Sequence, residues 1–182
     1  MGLSISWIAV SGKAKADILQ CLSLVDTTDS DEANESPVSG AQLPGGWYVL
    51  FLNQFDHPFA RAPLVQRLSA GCKVVVCQVE EHVMTSVATL YENSINTWRV
   101  THESESGMYH LEKEGVPPPS LDEIYAALKV SQDADGGFDA DVDHIFDVPV
   151  GLAAALCGYR HDEVALASGE EPKFTELVAT ST

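Results

Sequence analysis

Two short runs of apolar residues constrain the fold of this chain more than any other feature. One run is Trp47-Tyr48-Val49-Leu50-Phe51-Leu52, and the other is VVVCQV, residues 74–79. Both have the length of a strand and are too short for a typical helix. Because the first run has no polar residue on either side of a pleat, both of its faces must be covered. Buried strands with helices packed across them are therefore predicted.

The first half of the chain has the element order β-α-β-α-β. Strands are predicted over residues 4–10, 47–52 and 74–84 from their apolar content. Helices are predicted over residues 13–24 and 63–70, the second ending at a glycine. This alternation is typical of parallel strands joined by helices that cross the sheet.

The second half has a different rhythm. Short strand candidates at residues 86–91, 95–102 and 108–112 are separated by polar turns, which predicts an antiparallel meander. Two helices follow, one starting with the capping-box sequence Ser120-Leu-Asp-Glu123 and one starting at Asp147.

Chain length and element order together indicate one domain. The chain has 182 residues, which suits a single domain with a small appendage. We predict an α/β or α+β fold over residues 1–167, with a mixed sheet of about six strands. Residues 168–182 are predicted to be a loose C-terminal tail.

The charge balance narrows the classes of partner. The chain has 27 acidic and 10 basic residues, for a net charge of −17 with His neutral. Such a surface repels phosphate backbones and anionic lipids, so we expect neither nucleic acid nor membrane as a partner. High net charge first favours solubility, and it also favours electrostatic steering of a basic protein. Residues 26–37 concentrate five carboxylates with no basic residue and predict a solvated loop.

The cysteines and the apolar segments indicate a cytoplasmic setting. Four cysteines, none in a C-x-x-C pair, lie among apolar residues, which is typical of free thiols in a reducing compartment: Cys21, Cys72, Cys77 and Cys157. No apolar run has membrane-spanning length, and no basic segment precedes the first apolar one, so we expect no signal peptide.

The strongest candidate for chemistry is the triplet Glu80-Glu81-His82 at the end of the predicted third strand. On a regular strand Glu80 and His82 share one face and can act as an acid/base pair or as two metal ligands. Glu81 then lies on the more apolar face, where burial would favour the protonated form that general acid catalysis requires. The alternative is a solvated strand end or a bulge without catalytic function.

A second cluster follows the predicted second strand. Asp56-His57 comes a few residues after Leu52, and ligands of parallel sheets bind beyond the carboxyl ends of strands. If the second and third strands are parallel neighbours, Asp56 and His57 approach Glu80 and His82. Two carboxylates and two imidazoles would then form a site for a divalent metal. Alone, Asp56-His57-Pro58 is typical of a turn.

Three further groups of polar residues give weaker indications of a functional site. Residues 139–143 have the spacing D-x-D-x-D, but the glycine and closing glutamate of a calcium-binding EF-hand are missing. His102 and His110 flank a polar turn and would share a face in a regular hairpin. Arg160-His161-Asp162-Glu163 follows the last helix, and its cations are predicted to contact the C-terminal carbonyls of that helix.

Several segments resemble a family of bacterial proteins of unassigned function. They are LSAGCKVVVCQVEEHVM, TWRVTHES, MYHLEKEG and IFDVPVGLAAALCGYRHD, and the resemblance extends from SISWIAV to GYRHD. The resemblance implies a bacterial cytoplasmic setting. It implies no activity, cofactor or catalytic residue.

The sequence leaves three functional hypotheses. The first is a non-enzymatic binding module, of the immunity or regulatory type, that engages a basic protein. The second is a metal-assisted, hydrolase-like enzyme that uses Glu80, Glu81 and His82 together with Asp56 and His57. The third is a structural subunit that buries its apolar faces in a homodimer.

Overall fold

The computed structural model describes residues 2–180 and shows an α+β fold with nine strands and four α-helices in that range. The helices are α1 Lys15–Leu22, α2 Ala62–Leu68, α3 Ser120–Ala134 and α4 Asp147–Cys157. The strands are β1 Ser4–Ser11, β2 Leu24–Ser30, β3 Val38–Gln42, β4 Trp47–Leu52, β5 Lys73–Glu80, β6 Thr85–Glu92, β7 Ile95–Glu103, β8 Glu112–Gly115 and β9 Thr175–Ala179.

The strands form one sheet in the order β2-β9-β3-β4-β1-β5-β6-β7-β8, and every pairing is antiparallel. The predicted mixed sheet with a parallel first half is therefore wrong. Strand β1 lies between β4 and β5, with Trp7 opposite Phe51 on one side and opposite Cys77 on the other. Because β1 is antiparallel to both neighbours, β4 and β5 have the same direction but do not pair.

Both faces of the central strands are covered, as the apolar runs predict. Helices α3 and α4 pack on one face, where Trp7, Phe51 and Val75 belong to the same buried cluster as Leu152 of α4. Helices α1 and α2 cover the other face, where Ile8 and Leu50 are fully buried. The predicted apolar stripe of the first helix is confirmed, since Ile18, Leu19 and Leu22 are its buried residues.

The C-terminal segment belongs to the sheet. Residues 168–182, predicted as a loose tail, include β9, which pairs with β2 on one side and with β3 on the other. Leu177 of β9 is buried in the core beneath α1. Gly40 of β3 allows this packing, because a Cβ atom there would collide with the Tyr48 hydroxyl and approach Leu177 Cδ1 to 2.9 Å. Residues 181 and 182 lie outside the described residues.

The predicted meander and acidic loop are confirmed only in part. Strands β6, β7 and β8 form an antiparallel meander, as predicted, and β5 extends it. The third strand is displaced, since residues 108–111 form no strand and β8 covers Glu112–Gly115. Helix α3 begins at Ser120, but Pro119 occupies the N-cap position and no side chain caps the helix there, so the capping box is not formed. Residues 26–30 of the predicted acidic loop belong to β2, which pairs with β9.

The state of the cysteines and the length of the helices can be compared with the predicted cytoplasmic setting. All four cysteines are free thiols, and burial raises the pKa of Cys157 to about 11, so this thiol stays protonated. None of the helices in residues 2–180 has the length and apolar content needed to cross a bilayer.

Candidate functional site

The triplet Glu80-Glu81-His82 lies where β5 ends and the turn into β6 begins. Strand β5 ends at Glu80, and residues 81–84 form the turn. His82 Nδ1 is 2.6 Å from Glu80 Oε1, and the Ser4 hydroxyl donates to Glu80 Oε2 at 2.5 Å. The structure thus brings Glu80 and His82 together, although a turn rather than strand alternation makes the pair.

Glu81 has a different role from the predicted buried acid. The Leu3 N–H donates to Glu81 Oε2 at 2.7 Å, and the Glu81 N–H donates to the Leu3 carbonyl at 2.9 Å. Because the strand ends one residue earlier, Glu81 does not face the apolar interior. Its hydrogen bonds hold the N-terminal segment against the β5–β6 turn.

Ser4, Glu80 and His82 are not arranged as a nucleophilic triad, in which the histidine lies between the serine and the carboxylate. The hydrogen bond from Ser4 holds the pKa of Glu80 below its ordinary value; burial opposes this effect, and hydrogen bonds with His82 add to it. The carboxylate lies between the serine and the imidazole, so His82 is not placed to accept the Ser4 proton. The His82 side chain is 59% exposed, which is typical of a surface ion pair.

Asp56 and His57 are engaged locally. Asp56 Oδ2 is 3.1 Å from Arg61 Nη2, and His57 Nδ1 accepts the Phe59 N–H at 3.1 Å. Burial, and then the charge of Arg61, lowers the pKa of His57. These contacts are those of a turn that leads into α2.

The four predicted metal ligands Asp56, His57, Glu80 and His82 do not form one centre. Across residues 2–180, no group of three or more His, Cys, Asp or Glu side chains is placed to hold a metal ion. The physical reason is the insertion of β1 between β4 and β5, which separates the two strand ends that the parallel topology would have made neighbours.

His102 and His110 are structural in this arrangement. The His102 side chain is fully buried, with Nδ1 2.7 Å from the His110 carbonyl and Nε2 2.9 Å from Asp143 Oδ2. The two imidazole rings lie 6.5 Å apart. Because both ring nitrogens of His102 are occupied, His102 joins the end of β7 to the loop before α4 and has no free nitrogen for a substrate.

Arg160 contacts the start of α4 and not, as predicted, its C-terminal carbonyls. Its guanidinium is 2.8 Å from Asp147 Oδ1 and 2.6 Å from Asp162 Oδ1. Burial alone would lower the pKa of Arg160, but the two carboxylates outweigh it and raise the pKa. This bridge fixes the segment that follows α4.

That segment forms one wall of a cleft that the sequence did not predict. The cleft, of about 350 Å³, lies where residues 159–164 meet residues 32–34 and 171–174. We call it the acidic cleft, and its lining residues are Glu32, Ala33, Asn34, Tyr159, His161, Asp162, Glu163, Val164, Glu171, Pro172, Lys173 and Phe174.

The acidic cleft carries uncompensated negative charge. Glu32, Glu163 and Glu171 form no ion pair with any residue in the described part of the chain, whereas Asp162 is bound by Arg160. Burial raises the pKa of Asp162, but its hydrogen bond with Arg160 outweighs burial and lowers it. Lys173 is the only lysine or arginine among the lining residues.

Sheet pairing assembles the cleft from distant segments. Strand β9 places the residues before it beside the loop after β2, where the Asp31 N–H donates to the Phe174 carbonyl at 3.0 Å. The sequence marks the acidic loop and the segment Arg160–Glu163, but it has no signal that residues 171–174 join them. Only the position of β9 between β2 and β3 brings the three together.

Comparison with protein-family models, with curated proteins and with solved structures finds no match to this chain. The resemblance to a bacterial family therefore stays a prediction, and the function has to be argued from the site.

Proposed function

We propose that this chain is a non-enzymatic binding module, of the immunity or regulatory type, that engages a basic partner protein through its acidic surface. The observation that carries the proposal is the acidic cleft, in which Glu32, Glu163 and Glu171 converge without a paired cation among residues 2–180. Charge complementarity with a basic partner would steer association and lower the repulsion among these carboxylates.

The rest of the surface supports the same class of partner. With a net charge of −17, the chain attracts cationic surfaces from beyond contact distance at low salt. The base of the cleft is also well packed, since Tyr159 and Phe174 are buried there and pack on each other. A preformed site loses little conformational entropy when a partner binds.

The alternative proposal, a metal-assisted hydrolase at Glu80/His82 and Asp56/His57, has less support. Glu80 and His82 form a two-ligand pair, whereas catalytic zinc sites use three protein ligands. Asp56 and His57 are bound to Arg61 and Phe59.

A titration with labelled peptides of equal length and graded positive charge tests the binding proposal. Fluorescence anisotropy should show saturable one-to-one binding that strengthens with peptide charge and weakens from about 50 to about 200 mM salt. Light scattering on the free protein gives its oligomeric state and tests the homodimer hypothesis. Absence of binding, or an affinity independent of salt, would remove the proposal's electrostatic basis.

A further inference from the structure

If the chain binds a basic partner, as proposed above, the lining of the acidic cleft indicates which group of the partner enters it. Its floor is aromatic. The rings of Tyr159 and Phe174 meet edge to face, with centroids 5.8 Å apart at 61°, and the two residues are only 3% and 4% exposed. Trp7 and Phe51 support them from the sheet, at 5.3 Å from Tyr159 and 6.5 Å from Phe174.

Two polar groups at the cleft have no partner. His161 Nδ1 is buried without a hydrogen bond to any of residues 2–180. Tyr159 is almost fully buried, and its hydroxyl forms no side-chain hydrogen bond within the same range. Burial raises the pKa of Tyr159 and lowers that of His161, so both side chains are neutral near pH 7. Neutral phenol and imidazole can each accept a hydrogen bond from a cationic N–H group.

The chemistry of the lining selects the ligand. Three uncompensated carboxylates exclude an anion. A metal ion does not fit, since the described residues hold no group of three or more ligating side chains close enough to coordinate one. A cation with several donors spread over a plane matches the dispersed carboxylates, the phenol oxygen and the imidazole nitrogen.

We propose that the acidic cleft receives one arginine side chain of the basic partner. The guanidinium would donate to Glu32, Glu163 or Glu171 and to the Tyr159 hydroxyl at the base of the cleft, as arginine does at carboxylate sites. Lysine fits less well, because its ammonium is a compact point charge with three donors. A cleft of about 350 Å³ is at the small end of ligand sites, which suits one side chain.

Three fluorescein-labelled peptides test the proposal. They are identical except that every second residue is arginine, lysine or citrulline. Wild-type protein should bind the arginine peptide about threefold or more tightly than the lysine peptide, and the citrulline peptide should bind weakest. Citrulline keeps the shape of arginine but lacks its charge.

Two sets of substitutions with equal charge change locate the site. Glu32→Gln/Glu163→Gln/Glu171→Gln should weaken binding of the arginine peptide about tenfold or more. Glu112→Gln/Glu114→Gln/Glu123→Gln, at exposed positions of β8 and α3 by the opposite edge of the sheet, should weaken it less than about threefold. Matching circular dichroism spectra and melting temperatures show that the variants are folded.

Two single substitutions act in opposite directions. Tyr159→Phe keeps the aromatic floor but removes the unpartnered hydroxyl, and should weaken the arginine peptide about two- to tenfold. Lys173→Gln removes the cation from the lining and should tighten binding. A general electrostatic attraction would respond to Lys173→Gln but not to Tyr159→Phe.

The outcomes separate this inference from the proposed function. Equal losses in the two triple variants, or equal affinity for the arginine and lysine peptides, would overturn the arginine cleft and leave a basic-partner module in place. If wild-type protein binds neither cationic peptide, the proposed function fails as well.

Discussion

His102 and Asp143 form a buried hydrogen-bonded pair, with Nε2 2.9 Å from Oδ2 and side chains that are 0% and 6% exposed. Nδ1 donates to the His110 carbonyl at 2.7 Å, because a carbonyl oxygen can only accept, and Nε2 shares a hydrogen bond with the Asp143 carboxyl group. Asp143 Oδ1 also accepts the N–H groups of Ile145 and Phe146 at 3.1 Å. The pair therefore connects β7, the loop before β8 and the start of α4.

Removing the carboxylate should destabilise the fold strongly. Asp143→Ala leaves a buried imidazole unpaired, and we expect a loss of about 3–5 kcal/mol in the free energy of unfolding. Urea denaturation followed by circular dichroism measures it. The matched control is Asp135→Ala, which breaks the more exposed pair with His144 and should cost about 1 kcal/mol or less. Equal losses in the two variants would contradict the structural role of His102.

Low pH should destabilise the fold by protonating the same carboxylate. Burial raises the pKa of Asp143, but the hydrogen bond and charge of His102 outweigh burial and lower it below the unfolded value. A lowered pKa stabilises the fold above the unfolded pKa of about 3.9, and this contribution is lost as pH falls through the folded pKa. Below about pH 4, stability of the wild type should fall more steeply than that of Asp143→Asn, by up to about 1.4 kcal/mol per pH unit. Parallel curves would show that Asp143 does not titrate as described.

Arg160 should contribute more to the free energy of unfolding than an exposed arginine does. Its side chain is 20% exposed and bridges Asp147 and Asp162, so Arg160→Ala should cost about 1–3 kcal/mol. Arg61→Ala removes an ion pair in which both side chains are 54% exposed, and should change stability by about 0.5 kcal/mol or less. Chemical denaturation of both variants is the measurement. A loss for Arg61→Ala as large as that for Arg160→Ala would show that the bridge does not hold the cleft wall.

Zinc binding distinguishes the enzyme alternative from the binding module. Glu80 and His82 supply only two ligands, so we expect calorimetry to give a zinc dissociation constant above about 10 μM. Structural zinc sites bind far more tightly, with binding free energies of roughly 10–16 kcal/mol. Tight binding that His82→Ala abolishes would instead support the metal-assisted alternative.

The sequence predicts the central strands but not their direction. The runs in β4 and β5 are apolar because helices cover both faces, and that composition is the same whether a neighbouring strand is parallel or antiparallel. The inference of parallel strands followed from the β-α-β-α-β order. It failed because β2 and β3 lie in the chain between α1 and β4.

The missed strands have weak local signals. Strand β2, LVDTTDS, is largely polar, and β3, VSGAQ, contains glycine and alanine, which have low strand propensity. Both depend on pairing with neighbours, including β9 from the C-terminal segment. Of the candidate site, the Glu80–His82 pair and the acidic segments are visible in the sequence. The cleft is not, because it requires this long-range pairing.

The most direct test of the account is to map a basic peptide on the protein by NMR. Titrating the arginine peptide into ¹⁵N-labelled protein should shift the amide signals of residues 32–34, 159–164 and 171–174, which line the acidic cleft. The amides of the Glu80–His82 turn should change little. Shifts centred on that turn, or spread evenly over the acidic surface, would contradict the acidic cleft as the binding site.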